Sequence, residues 1–300
     1  MSRTVLDPSL TPSVQPNIID NGGFEVWQRG TSFSNPASGT FTADRWYITK
    51  SGTPTINVTQ NSTAANVDSG LYSLKFDITA LGSGFGEAYV QTNVENPLAY
   101  ASKTLTVSVR VKASVANLFR VTINDGSGFA VSSYHPGDGA FHTLSATFTP
   151  GSTPSQINVR IGVVVGDTIQ VSTAYFDSVM LTFGSAVPSF IPINPKEDLE
   201  RCQRYYQVAT QSSAGGGGFG TTQVHLVWLF KVSMRAAPTI TFNTFSINLL
   251  EPNANFAASS PSIIGAVGTD GVSFVATISG GTNAAGASLA SGSITASADL

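Results

Sequence analysis

Aromatic rings beside short polar side chains are the residues of this chain best suited to chemistry. Phe85, Tyr89, Gln91, Phe129 and Tyr134 fall on β-patterned runs or on the loops between them, and Arg45, Trp46 and Tyr47 form a second set. A pyranose has an apolar face that stacks on an aromatic ring and a polar edge that amides and guanidinium groups can bond. Trp27 and Trp46 read more simply as core residues. That leaves the loop aromatics Phe129 and Tyr134 as the leading ligand candidates, with Tyr89 and Gln91 on a neighbouring strand.

Catalytic chemistry is poorly supplied. Glycan cleavage needs two carboxylates held about 5 to 9.5 Å apart, one with a raised pKa. The acid-rich run Glu197, Asp198, Glu200 opens a helical pattern, where complementing the helix dipole explains it. G-x-S-x-G, H-E-x-x-H and a Walker loop are all missing. His135, His142 and His225 do not share a metal-ligand spacing, and the single cysteine, Cys202, lies in an apolar-aromatic stretch that predicts a buried thiol. Binding is therefore the expectation, and an enzyme is not.

These candidates need a scaffold, and composition bounds it. The 300 residues are 41% hydrophobic, enough to bury a core in one large or two ordinary domains. Charged residues make up only 11%, against about 25% in an average globular protein. The formal net charge of −3, without a basic block, argues against nucleic-acid binding. One cysteine permits no intrachain disulfide, the N-terminus lacks the apolar segment of a secretory signal, and no window approaches the ~18 apolar residues of a membrane span.

The pattern along the chain is β throughout. Thr104–Lys112 alternates Leu105, Val107, Val109 and Val111 with polar residues, which predicts a strand with one face in a core. The same period marks 71–78, 119–123, 142–149, 157–165 and 174–181, and a first strand is expected around 17–27. Asn124–Gly128 and His135–Gly139 supply turn chemistry between them. The expected organisation is an arm over 1–16, a β-sandwich over 17–190, a helical connector over 191–208 and a small β domain over 209–300. In the connector, Leu199, Cys202 and Tyr206 form a narrow apolar stripe on a helix over 196–207. Gly215–Gly220 reads as a mobile or tightly turning loop before a strand at 223–234, and further runs follow to the end. Only five charges, Lys231, Arg235, Glu251, Asp270 and Asp299, lie in 208–300, so this segment is expected to cover its sheet edges against copies of itself.

Two motifs carry a resemblance. N-G-G-F-E-V-W, with Asn21, Phe24, Glu25 and Trp27, together with Y-F-D-S-V-M-L around Asp177, resembles the first and last strands of jelly-roll carbohydrate-binding modules. The string from Trp27 to T-A-D-R-W (42–46), with C-Q-R-Y-Y (202–206), resembles tail-fibre and other virion surface proteins of tailed bacteriophages. The resemblance implies an all-β jelly roll, followed here by a short helix and a small β-rich domain. It implies a structural Ca²⁺ held by Glu25 and Asp177, a site such oxygen donors can build. It also implies a virion protein assembled in the host cytoplasm and exposed on the particle. Such a subunit would be a homotrimer, joined to other virion proteins through its arm and attached to host surface glycans. A capsid decoration or head-fibre protein using the jelly roll as a scaffold is the alternative, and a depolymerase component a further one.

Overall fold

The computed structural model describes residues 16–167, 169–211, 213–219, 222–249, 254–278 and 286–300. The arm expected over 1–16 lies outside these apart from Pro16. Two compact units emerge. The first comprises the chain to Glu25, Ser32–Thr40 and Tyr47–Pro192, and the second comprises Val26–Thr31, Phe41–Trp46 and Ile193–Leu300. Trp27, Trp46 and Trp228 all fall in the second unit.

The first unit is an antiparallel sandwich of jelly-roll type. Its strands are β1 (Ser32–Ser34), β2 (Tyr47–Lys50), β3 (Thr55–Asn61), β4 (Ser73–Ala80), β5 (Ala88–Asn93), β6 (Leu105–Ala113), β7 (Arg120–Asn124), β8 (Phe129–Val131), β9 (Phe141–Phe148), β10 (Asn158–Val163) and β11 (Ser172–Phe183). They form a six-stranded sheet, β1-β3-β4-β11-β6-β9, and a five-stranded sheet, β2-β5-β10-β7-β8. Alternation decides the core: Leu105, Val107, Val109 and Val111 of β6 are fully buried, whereas Arg110 and Lys112 are not. Phe76 and Phe176 of the first sheet and Phe119, at the entry to β7, meet at ring-centroid distances of 5.6 to 6.5 Å. Such aromatic contacts add about 0.5–1.5 kcal/mol each to the burial of the rings.

The strand expected at 17–27 is absent, although the segment still lies against the last strand. Asn21 and Phe24 take positive φ values of 52° and 54°, which breaks any extended run into turns. Asn17 replaces the missing ladder. Its side chain donates to the Val179 carbonyl at 2.8 Å and accepts from Leu181 N at 3.0 Å and Ile19 N at 3.1 Å. Val179 N in turn donates to Gly22 O at 2.8 Å. The contact needs glycine, because a Cβ at Gly22 would stand 2.2 Å from the Val179 carbonyl oxygen. β11 bulges between Asp177 and Met180, where the segment docks.

The second unit contains α1 (Pro195–Gln203) and the strands β12 (Tyr206–Ala209), β13 (Ala214–Phe219), β14 (Gln223–Leu229), β15 (Thr239–Leu249), β16 (Ala254–Ile263), β17 (Gly271–Ile278) and β18 (Ala287–Ser297). The order β13-β14-β17-β16-β15 continues to β18, which returns to β13, so six strands close into an antiparallel barrel. β12 extends the edge of β18 beyond β13. Val224, Leu226, Trp228, Ile247, Phe274 and Ile294 fill the interior, while β14 alternates strictly between exposed and buried positions. Among the described residues, closure pairs both ends of the strand order, β15 and β13, with β18. The low charge of 208–300 therefore has an explanation within one chain.

Two expectations change here. The glycine run forms β13, not a loop. Residues without side chains give no alternation to read, and a Cβ at Gly216 would fall 1.9 Å from the His225 carbonyl oxygen of the paired strand. The helix ends at Gln203, so Tyr206 lies in β12 and the helical stripe Leu199, Cys202, Tyr206 does not form. Its start follows the sequence: Asn194 accepts from Lys196 N, Pro195 occupies the first turn with Glu197 and Asp198, and Arg201 bonds Glu197 at 2.7 Å. Cys202 is buried, as expected. No helix among the described residues is long and apolar enough to cross a membrane.

Candidate functional site

The five-stranded sheet has one row of fully buried residues in register, Ile48, Val90, Ile161 and Val121. Residues flanking that row must therefore face the other way. One such row runs Tyr47, Gln91, Arg160, Thr122, Val131, and a second runs Asn93, Asn158, Asn124, Phe129. A third carries Thr49, Tyr89, Gly162 and Arg120. The outer face thus collects two arginines, three asparagines, a glutamine and three aromatics from five strands. Tyr89, Gln91 and Phe129, singled out in the sequence, come together on it.

Their roles differ. Phe129 is 68% exposed and, with Arg120, Thr122, Arg160, Glu87 and Val165, lines a cavity of about 280 Å³. Tyr89 is 5% exposed beneath the Arg160 guanidinium, whose carbon lies 5.0 Å from the ring centre. Burial raises the Tyr89 hydroxyl pKa, opposed by Arg160. Gln91 is 7% exposed and bonds the Tyr47 hydroxyl, which also accepts from Asn93 at 3.2 Å. Tyr134 is engaged from both sides: its hydroxyl donates to Asp167 at 2.7 Å and Arg120 lies 4.3 Å over its ring. Asp167 also pairs with Arg120 at 3.2 Å and accepts from Val164 N at 2.9 Å. Tyr134 therefore fixes the loop after β10, the one that supplies Val164 and Val165 to the cavity.

Several polar atoms of this face have no hydrogen-bond partner among the described residues although they are buried: Nε of Arg120, Nε of Arg160, and both carboxamide atoms of Asn158. The sequence offered no signal for the two arginines beyond their strand positions. Register alone brings them together, through the pairing of β7 with β10.

Glu25 and Asp177 meet a common turn. Asp177 is fully buried and accepts from Asp68 N at 2.8 Å, Ser69 N at 3.1 Å and Ser178 N at 2.6 Å. Glu25 accepts from Leu71 N at 2.7 Å. Burial pushes the Asp177 carboxyl up to about 6 in spite of these amides. A cation would relieve that cost. Carboxylates are the hard oxygen donors Ca²⁺ takes, so Glu25 and Asp177 suit the ion in kind, although both already accept backbone N–H groups. Close by, Asp68, Ser108, Arg110, Ser178 and Phe190 border a second cavity of about 490 Å³, where Arg110 and Asp68 neutralise each other at 2.9 Å.

Two further clusters bring titratable and aromatic side chains together. His135 and His142, expected to share no metal-ligand spacing, meet at 5.1 Å between ring centres, with Asp138 bonded to His142 at 2.8 Å, and ligand atoms of all three lie within 4.8 Å of one another. The HPGDG turn folds them together. His135 already accepts from Gly137 N and contacts the Ala140 carbonyl, so both its ring nitrogens are occupied. In the second unit, Arg29 pairs with Asp44 at 2.9 Å and with Asp299, and stacks on Tyr206 at 3.7 Å, while Arg45 stacks on Tyr205 at 3.5 Å. The W-Q-R-G, T-A-D-R-W and C-Q-R-Y-Y strings thus meet through cation–π contacts. Burial raises Asp44 to about 6, with Arg29 opposing. Its carboxylate is committed to an ion pair.

No family model matches the chain, and no curated protein matches it. Among solved structures, it is similar to a cyclase from Fischerella sp. TAU in complex with 4-(1H-indol-3-yl)butan-2-one, at 16% identity over 57% of this chain and 98% of that one, with a TM-score of 0.39. It is also similar to TmCBM61 in complex with β-1,4-galactotriose, at 13% identity over 56% and 99%, TM-score 0.38. A CBM4 module matches at 15% identity over 55% and 99%, TM-score 0.35.

Proposed function

We propose that the protein is a non-catalytic glycan-binding subunit of a tailed-phage virion, and that it binds through the outer face of the five-stranded sheet. One observation carries the reading: Phe129, an exposed ring, stands at a cavity lined by two guanidinium groups and a threonine hydroxyl. A ring supplies the stacking surface and the polar groups supply the rim bonds that a sugar requires. The virion setting is supported by the resemblance of the strings that meet at Arg29 and Arg45. Attachment through the N-terminal arm, a homotrimer that multiplies weak sites by effective concentration, and Ca²⁺ at Glu25 and Asp177 complete the proposal.

Phe129→Ala is expected to abolish glycan binding and reduce particle adsorption to host cells while shifting the melting temperature by less than a degree or so, since an exposed surface residue contributes within about 0.5 kcal/mol. The decoration reading draws on the burial of Tyr89 and Gln91 in their own contacts. It gains if adsorption is unchanged while particles lacking the protein become fragile. Sedimentation of the purified chain is expected to return a trimer, and a monomer at micromolar concentration rejects the assembly.

A further inference from the structure

The cavity beside Phe129 has a charge asymmetry that bears on which sugar it takes. Arg120 is already neutralised, because Asp167 holds it at 3.2 Å. Arg160 is not. Its guanidinium carbon lies 5.0 Å from the Tyr89 ring centre, no carboxylate among the described residues forms an ion pair with it, and its Nε is buried without a partner. A buried guanidinium Nε–H without an acceptor is costly, and an anion presented to the planar fork can take it. The neighbouring Nε of Arg120 is a second buried donor on the same face.

We propose that this cavity selects a carboxylate-bearing sugar, a uronate unit of an acidic glycan, with Arg160 as the anion-binding group. The inference rests on the glycan-binding reading above. Phe129 would stack on the sugar ring while Arg160 takes the carboxylate. Glu87 lines the same cavity and repels negative charge, which limits the site to one anionic group.

Polygalacturonate and its fully methyl-esterified form share a backbone and differ in charge, so they isolate the effect. With the full chain at about 50 mM salt, where screening is weak, the acid form is expected to bind at least about tenfold tighter. Arg160→Gln should close that gap by weakening the acid form more than the ester, and Glu87→Gln should tighten the acid form. Should Arg160→Gln fail to fold, salt titration of the natural chain decides: about 500 mM salt must collapse the preference. Equal binding of the two forms, or a preference that survives Arg160→Gln, overturns the inference and leaves the glycan reading standing. If neither form binds and neutral galactan and xylan oligosaccharides also fail, both fall together.

Discussion

The sandwich and the barrel solve the same problem, a β-rich chain with little charge, in different ways. The sandwich leaves its sheets open and uses the outer face of one of them to gather arginines, asparagines and an exposed phenylalanine. The barrel closes β15 onto β18, and the second unit holds an ion-pair cluster in which Arg29 joins Asp44 and Asp299. On the open sheet the buried Nε of Arg160 is left without a partner at a cavity, whereas Arg29 and Asp44 of the second unit pair with each other. Charge count alone is therefore a poor guide to where binding resides.

The largest effect expected to test this contrast comes from Arg29→Ala. It removes the cation paired with Asp44, whose side chain is 1% exposed, and with the half-buried Asp299, and breaking a buried ion pair costs about 3–5 kcal/mol. Calorimetry should show the second unit melting early and the sandwich transition unmoved. A uniform drop of both transitions, or none, breaks the contrast.

Next in size is a pH effect with an unusual sign. Asp44 ionises at about 6 in the folded chain against 3.8 for an ordinary aspartate, and the groups facing it are Arg29, Asp299, Gln28 and Tyr206. The folded state therefore holds this proton more tightly than the unfolded one. The stabilisation from Asp44 is fully present below pH 3.8 and is lost as pH rises through about 6, a gap worth roughly 3 kcal/mol. Asp44→Asn is expected to flatten that fall in denaturant titrations of the second unit between pH 4 and 6. An identical slope in the variant rejects the assignment.

A smaller effect, confined to the sandwich, concerns calcium. An ion present at about a hundred times its dissociation constant stabilises by ~2.7 kcal/mol, so chelation should lower the sandwich melting temperature and Glu25→Gln should remove the sensitivity. An unchanged melting curve leaves Glu25 and Asp177 as anchors for the amides of the 68–72 turn.

Where one face of a strand is buried, the chain announced it. β6, β9 and β11 were legible within a residue or two, because period-two alternation is a local property of the sequence. Gly215–Gly218 carried no alternation and read as a loop, and Asn21 and Phe24 at positive φ turned an apparent strand into a series of bends. The candidate site was half legible. Phe129, Tyr89 and Gln91 were visible as aromatic and amide residues, but Arg120 and Arg160 became neighbours only through the register of β7 with β10. Tyr134 looked like a free loop aromatic, and its commitment to Asp167 depends on a contact 33 residues away. Barrel closure was equally hidden, since no local pattern names the partner of β18.

The placement of Trp27, Trp46 and Trp228 in the second unit has a spectroscopic consequence. Indole emission reports on that unit alone, while the sandwich emits only through its tyrosines. Excitation at the red edge of the absorption band should therefore follow unfolding of the barrel and its associated segments without interference. A sugar bound beside Phe129 should leave the tryptophan signal dark, and the sandwich would need a reporter of its own, such as a tryptophan placed at Phe129.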